Sequence, residues 1–277
     1  MTPLPYPEAA ATLPPTTFAG ALLGVLRLLA TILLVAVGTV VLLLSALIPG
    51  RIQDARLAMW VSVWISRIFL AITGLKVDAR GAEVLRAHSG FVFFNHVSYM
   101  DIVVLLSIRP VRFLATAGVR KIPGIGWMAT AVGTVYVDRG EGSSREAARE
   151  RMKAAVARSP TPIALAPEGG VRHGPLVSPF RHGAFEVARD ADAEILLAVI
   201  DFLPRGRFAW LERESLVRAY WRLGARTTPV VARIVALPPA SGVTVAPPEA
   251  AARSEARMDA ALQSLWREDA TQDLARG

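Results

Sequence analysis

Apolar and polar positions follow two different patterns along this chain, and the change comes near residue 75. From Leu28 to Ile48 the residues are uncharged and mostly apolar, and the run ends at Pro49 and Gly50. At about 1.5 Å per residue, a helix over this run is long enough to cross the hydrocarbon core of a bilayer. The pattern predicts a membrane-spanning helix. A cleaved signal peptide is disfavoured because no basic residue precedes Arg27.

A second apolar segment, "LAMWVSVWISRIFLAITG", carries Arg67 near its middle and bulky aromatic residues such as Trp60 and Trp64. This composition is typical of a helix that lies in the membrane interface, and a buried core helix is an equal alternative. The basic residues Arg51 and Arg56 follow the first apolar run. Their position predicts an inner-membrane protein with the bulk of the chain on the cytoplasmic side.

Beyond residue 75, short continuous apolar runs alternate with amphipathic segments. The runs "FVFF", "TVYV", "PIALA" and "ILLAVI" have the continuous pattern of strands that are buried on both faces. The expected fold class is α/β, with a mixed, largely parallel sheet flanked by helices. We expect a mobile tail over residues 1–17, membrane-anchoring helices over 18–74, and an α/β domain with a long C-terminal helix over 75–277.

Several of the predicted strands end in polar residues. They are Asn95-His96, Asp138-Arg139, Glu168 with Gly169 and Gly170, and Asp201. Sites in open α/β sheets form in the crevice beyond the carboxyl ends of the strands, so these ends predict a site. The alternative is that polar residues occur wherever a strand leaves the core, and that alternative suits Asp201 best.

His96 and Asp101 are spaced so that they can meet only if His96 lies in a turn before a helix and Asp101 lies in its first turn. Ser98 stands three residues before Asp101, so the carboxylate equally fits a capping role at the helix start. If it faces the imidazole instead, His96 is a competent general base. With no cysteine and no G-x-S-x-G motif, the nucleophile would be a hydroxyl of the substrate.

The amino-acid composition limits the classes of ligand that are expected. Hydrophobic residues make up 53% of the chain, the formal net charge is +8, and there are no cysteines, so cysteine-ligated metal sites are excluded. The basic residues are mostly arginine, which suits anionic lipid, a nucleotide-bearing donor or an acidic carrier protein. Nucleic acid is disfavoured because no basic stripe is interleaved with aromatic residues. The scattered histidines disfavour a metal site, and "GIGWMA" favours a turn over a dinucleotide site.

The segment "NHVSYMD" resembles the H-x-x-x-x-D signature of the glycerolipid acyltransferases, and it is most similar to the 1-acylglycerol-3-phosphate acyltransferase branch. "RKIPGIGWMATAVGTVYVDRG", "PEGG" and "SPFRHGAFEVA" resemble that family's later blocks, in the same order. The resemblance covers roughly residues 60–200.

This resemblance implies a glycerol-3-phosphate acyltransferase-like fold and acyl transfer from acyl-CoA or acyl-carrier protein to the free hydroxyl of a lysolipid. 1-Acyl-sn-glycerol-3-phosphate is the expected acceptor, membrane lipid is the expected partner, and neither a metal nor a bound cofactor is required. The oligomeric state is left open. His96 would take the hydroxyl proton and Asp101 would orient the imidazole. The substrate-binding residues it implies are Asn95, Arg139, Glu168 and Gly169, together with Gly170 and Arg172. Arg139 would hold the phosphate, Glu168 and Gly169 would shape the acceptor pocket, and Asn95 would support the histidine or supply a polar contact.

One departure concerns the third block, where the family commonly has Thr-Arg after Glu-Gly. This chain has Gly170-Val171 there, and Arg172 comes one place later. Either Arg172 reaches the same phosphate by another backbone path, which the two glycines would allow, or the acceptor is another lysolipid, such as lyso-ornithine lipid or a glycolipid. A non-catalytic lipid-binding protein and a metal-dependent hydrolase are the remaining alternatives.

Overall fold

A computed structural model describes residues 6–137, 142–172, 174, 176–177, 179–238 and 245–276. Its strands are β1 (Arg51–Ile52), β2 (Ala55–Arg56), β3 (Leu75–Arg80), β4 (Phe91–Phe94), β5 (Arg112–Thr116), β6 (Val135–Val137), β7 (Ile163–Leu165), β8 (Ile195–Leu203) and β9 (Val230–Ala236). Its helices are α1 (Tyr6–Ala11), α2 (Phe18–Ala46), α3 (Leu57–Thr73), α4 (Ala82–Ala87), α5 (Met100–Ile108), α6 (Ala117–Arg120), α7 (Ile125–Ala131), α8 (Gly142–Arg158), α9 (Gly183–Asp190), α10 (Leu216–Gly224) and α11 (Pro247–Arg276).

Seven strands form one sheet in the order β3-β9-β8-β4-β7-β5-β6. The strands from β8 to β6 in that order are parallel, whereas β9 pairs antiparallel with β8 and parallel with β3. The expected mixed, largely parallel sheet is confirmed. The sequence pattern missed β3, β5 and β9, because charged residues such as Lys76, Arg112 and Arg233 interrupt their apolar character.

The sheet is covered on both faces, and β4 shows how. Phe91 and Phe93 pack into one core layer, while Val92 and Phe94 pack into the layer on the other face. The ring of Phe93 meets that of Phe185 edge to face, with centroids 4.9 Å apart. Such a pair contributes about 0.5–1.5 kcal/mol beyond the burial of its area. β4 is therefore a rigid support for the residues that follow it.

The N-terminal helices have two features that the sequence pattern did not indicate. α1 lies within residues 1–17, where the sequence predicts a mobile tail, and its Ala9 and Ala10 are buried. α2 begins before the predicted span because Thr17 caps its first turn, and it includes Arg27. The Arg27 guanidinium donates to the carbonyls of Gly224 (3.1 Å) and Arg226 (2.7 Å), which form the C-terminal end of α10, where a cation is favourable.

Among the described residues, α2 is the one helix whose length and composition allow it to cross a membrane. α3 has features of both a membrane-interface helix and a buried core helix. Part of its surface packs against the core through residues such as Met59 and Leu70, whereas Trp64 is 60% exposed. Arg67 lies over the Trp64 ring and donates from Nε to the Ser107 carbonyl (2.8 Å), which explains a charge in this apolar helix. The predicted C-terminal helix is present as α11.

Candidate active site

The parallel neighbouring strands β4 and β7 bring together the polar residues that follow them, Asn95-His96 and Glu168 with its two glycines. Phe91 pairs with Ile163 in the register of these strands, so the residues that follow them lie at the same edge of the sheet. The backbone N–H of His96 donates to Oε2 of Glu168 (3.0 Å). The "NH" and "PEGG" segments thus meet at the carboxyl ends of the strands, where the crevice is expected.

His96 and Asp101 meet in this crevice. The imidazole Nδ1 lies 2.8 Å from Oδ2 of Asp101. The same oxygen accepts the backbone N–H groups of Val97 (2.8 Å) and Ser98 (2.9 Å), and the Ser98 hydroxyl accepts the N–H of Met100 (3.3 Å). The two alternatives from the sequence are therefore both realised, because one carboxylate caps the start of α5 and holds the histidine.

The turn between β4 and α5 is also held by contacts with a distant segment of the chain. The backbone N–H of Trp210 donates to the Val97 carbonyl (2.8 Å), and the Trp210 indole meets the Tyr99 ring edge to face. The sequence pattern did not assign Trp210 to the site.

The ionisation of this pair follows from burial and hydrogen bonding. Complete burial raises the pKa of the Asp101 carboxyl, and the hydrogen bonds from His96, Ser98 and Val97 act against that rise by favouring the anion. Because a carboxylate can only accept, His96 carries its proton on Nδ1, which leaves the lone pair of Nε2 free. The imidazole side chain is 20% exposed, whereas the Asp101 side chain is fully buried.

Asn95 has a different role from the predicted substrate contact. Its amide Nδ2 donates to the Ile200 carbonyl (2.8 Å), and its Oδ1 accepts the Ile200 N–H (2.7 Å). The residue is 2% exposed. The side chain extends the β4–β8 pairing by two bonds, and it holds the backbone directly before His96. Support of the histidine is one of the two roles that the resemblance implies for Asn95, and both polar groups of its amide are engaged in it.

The glycine after Glu168 is required by the backbone. Gly169 has φ +80°, a conformation that side chains disfavour, and a Cβ there would collide with the guanidinium of Arg181. The backbone N–H of Arg181 donates to the Pro167 carbonyl (2.9 Å), which keeps the two segments together. The sequence argument did not select Arg181, although it stands in the "SPFRHG" block.

Arg172 lies beside the histidine despite its displacement in the sequence. Its backbone N–H donates to the His96 carbonyl (2.9 Å), and its guanidinium donates to the Glu168 carbonyl (2.6 Å). Its buried Nε has no hydrogen-bond partner among the residues that the structure describes. Gly170 lies in the same loop between these anchored residues. One donor of Arg172 is thus unused next to His96.

Of the two remaining polar strand ends, the structure describes Asp201. Asp201 lies within β8 and pairs with Arg233 (2.8 Å) and Arg205 (3.0 Å), so its role is structural. Asp138 and Arg139 lie outside the described residues, and the phosphate contact of Arg139 stays a prediction. Within the described part of the chain, no group of three His, Cys, Asp or Glu residues is placed to hold a metal ion.

A profile of the acyltransferase family matches residues 76–201, the segment from β3 to Asp201 that carries the crevice. The lyso-ornithine lipid O-acyltransferase of Rhodobacter capsulatus is 34% identical over 122 residues, covering 44% of this chain and 42% of that protein. The 1-acyl-sn-glycerol-3-phosphate acyltransferase of Neisseria gonorrhoeae is 27% identical over 129 residues, covering 47% and 49%. The matched segments thus span less than half the length of either relative.

The fold is also known from a crystal structure. The 1-acyl-sn-glycerophosphate acyltransferase of Thermotoga maritima superposes with a TM-score of 0.67 at 20% identity, covering 89% of this chain and 95% of that one. At this identity the likeness concerns the fold. Together with the ordered sequence blocks and the His96–Asp101 geometry, these similarities confirm the resemblance to the glycerolipid acyltransferases. Residues 76–201 carry an acyltransferase domain.

Proposed function

We propose that this protein is a lysolipid O-acyltransferase, which moves an acyl chain from acyl-CoA or acyl-carrier protein to the free hydroxyl of a lysolipid. The observation that carries the proposal is the 2.8 Å bond between His96 Nδ1 and Asp101 Oδ2, which leaves the lone pair of Nε2 to act as the base. Relatives with acyltransferase names support the reaction class.

The chemistry follows from this arrangement. Nε2 of His96 takes the proton of the acceptor hydroxyl as its oxygen attacks the thioester carbonyl. The carboxylate of Asp101 stabilises the imidazolium that forms. When the tetrahedral intermediate collapses, the C–S bond breaks and the thiolate leaves with the proton from Nε2. The products are an ester and a thiol, and no acyl-enzyme is formed.

The proposed acceptor is 1-acyl-sn-glycerol-3-phosphate, which would give phosphatidic acid. An arginine holds phosphate with a planar fork of N–H donors. Arg172 supports this choice, because its Nε is buried and unused in the part of the chain described and its backbone is bonded to the His96 carbonyl. Arg139 would supply a second guanidinium.

Lyso-ornithine lipid is the second candidate acceptor. The proteins of this name from Rhodobacter capsulatus and Pseudomonas aeruginosa are 34% and 39% identical over their matched segments. The replacement of Thr-Arg by Gly170-Val171 also favours a changed headgroup site. Either acceptor places the enzyme at a membrane. We propose that α2, whose apolar side chains such as Leu29 and Leu33 are exposed, attaches it to the inner membrane with the catalytic domain on the cytoplasmic side.

The function is tested with the full-length protein in neutral detergent, one labelled acyl chain on either CoA or acyl-carrier protein, and a panel of lysolipids. We expect acylation of 1-acyl-sn-glycerol-3-phosphate, and an Arg172→Gln variant with a raised acceptor KM and a smaller change in kcat. The matched control is Arg218→Gln, an exposed arginine of α10. Acylation of lyso-ornithine lipid alone would select the second candidate. If no lysolipid is acylated with either donor, the proposal is wrong.

A further inference from the structure

A cavity of about 650 Å³ lies at the opposite end of the parallel strands from the histidine. Its lining includes Arg112 at the start of β5, Val135 at the start of β6 and Ser159 shortly before β7. His96 and Glu168 follow the carboxyl ends of β4 and β7. Because these strands are parallel, the cavity and the candidate active site open at different edges of the sheet.

The cavity is strongly basic. One acidic residue, Asp54, contributes to its described lining, against six arginines: Arg51, Arg56, Arg112, Arg120, Arg151 and Arg158. None of the six forms an ion pair with a carboxylate in the described ranges, although many other arginines of this chain do. An excess of unpaired like charges around one concavity attracts anions and focuses their approach.

Arg112 is the buried member of this cluster of arginines. It is 7% exposed, and its guanidinium bonds only to backbone carbonyls, including those of Thr161 (3.0 Å) and Ser159 (3.2 Å). Burial and the nearby charges of Arg51 and Arg56 lower its pKa to about 10. A bound anion would relieve this repulsion, whereas solvation alone is restricted for a buried cation.

The cavity is connected to the apolar helix α2 through the hairpin of β1 and β2. The hairpin of β1 and β2, which supplies Arg51 and Arg56, directly follows α2 in the chain. Ile48 and Ile52 beside it are 54% and 53% exposed. On the inner side, Met59 of the cavity wall belongs to the small core that joins α2 with α3 and α7. A molecule with acyl chains along α2 would therefore bring its polar headgroup to the arginines.

We propose that this cavity binds the phosphate of an anionic phospholipid headgroup, at a site separate from the crevice of His96. Arginine suits this ligand because its donors match phosphate oxygens and its charge persists at neutral pH. The inference rests on the proposed membrane attachment of α2, and it does not depend on acyl transfer. It gives the enzyme a second, non-reacting lipid contact that orients the sheet at the membrane surface.

The test measures binding by calorimetry, with full-length protein in neutral maltoside detergent. The lipid probe is dihexanoyl phosphatidylglycerol, and dihexanoyl phosphatidylcholine, inorganic phosphate and adenosine 3′,5′-bisphosphate are compared with it. The test variant is Arg51→Gln/Arg158→Gln, because both guanidinium groups are exposed and have no partner among the described residues. The control, Arg86→Gln/Arg267→Gln, removes the same charge from α4 and α11, away from the cavity.

We expect phosphatidylglycerol to bind the wild type and the control variant equally, and the test variant at least about tenfold more weakly, since each basic residue near an anionic lipid contributes roughly a fivefold gain. His96→Ala should bind it like the wild type, which separates this site from catalysis. If the test variant misfolds, Arg158→Gln alone should still show a loss of about fivefold. Equal binding by test and control variants overturns the proposal. If only the soluble phosphates bind with this arginine dependence, the site is not a lipid site.

Discussion

The Asp101 carboxylate holds His96 through one oxygen, Oδ2, which lies 2.8 Å from the imidazole Nδ1 and also accepts the backbone N–H groups of Val97 and Ser98. The histidine is thereby fixed to the helix start that the same carboxylate caps. Orientation of the imidazole and folding of the turn depend on a single group, so substitutions at Asp101 must be assessed for both.

Asp101→Asn should lower kcat by about 10²–10⁴-fold with little change in acceptor KM, because the amide no longer fixes the Nδ1 tautomer or stabilises the imidazolium. The measurement is steady-state kinetics beside a thermal unfolding curve. The matched control is Asp190→Asn, which removes the carboxylate at the C-terminal end of α9 and should retain wild-type turnover. A variant that is folded and fully active would remove Asp101 from the mechanism.

Asn95→Ala should destabilise the protein by about 1–3 kcal/mol, because the N–H and carbonyl of Ile200 are left without their partners in a buried strand. Denaturant unfolding measures this loss. Asn95→Asp, which keeps an acceptor for the Ile200 N–H but removes the donor, provides the comparison. If Asn95→Ala raises the acceptor KM and leaves stability unchanged, the substrate contact predicted from the sequence is restored.

Gly169→Ala should reduce kcat/KM by roughly 10–100-fold, because the added Cβ strains a backbone with φ +80° and displaces the loop that carries Glu168 and Arg172. Combining it with Arg181→Ala removes the collision but not the strained φ, so rescue should be partial. Gly118→Ala is the control, since its Cβ would meet only the Thr116 hydroxyl at 3.9 Å. Full activity of Gly169→Ala alone would contradict this account of the loop.

His88 gives a pH-dependent stability that is separate from catalysis. Burial lowers its pKa below the ordinary 6.5, and its Nε2 donates to the Phe91 carbonyl at 2.9 Å. The contribution of the neutral imidazole is therefore present above about pH 6.5, and it is lost as the pH falls toward the lowered folded pKa, because the unfolded chain takes up a proton first.

Denaturant unfolding at pH 7.5 and pH 5 tests this. His88→Gln keeps a donor for Phe91 and does not titrate, so its free energy of unfolding should fall less than that of the wild type between these two values. His182→Gln, an exposed histidine at the start of α9, should keep the wild-type slope. An unchanged slope in His88→Gln would show that this imidazole is not the group responsible.

The sequence predicted much of the site because its signals are local. The spacing of His96 and Asp101 within one turn defines their contact, and continuous apolar runs define strands buried on both faces. The contact of Asn95 with Ile200 was missed because this partner is 105 residues away and carries no side-chain signal. The antiparallel β9 was missed for a similar reason: Arg233 interrupts its apolar run, and its partner Asp201 belongs to another strand. Hydrogen bonds and ion pairs between distant segments leave no signal in the local pattern of apolar and polar residues.

The most direct test of the central claim compares His96→Ala with the wild type, using labelled acyl-CoA and the acceptor that the lysolipid panel selects. If His96 is the general base, the variant unfolds at the wild-type temperature, still binds the acceptor, and turns over about 10²–10⁴-fold more slowly. Turnover near the wild-type rate in a folded His96→Ala protein would contradict the account.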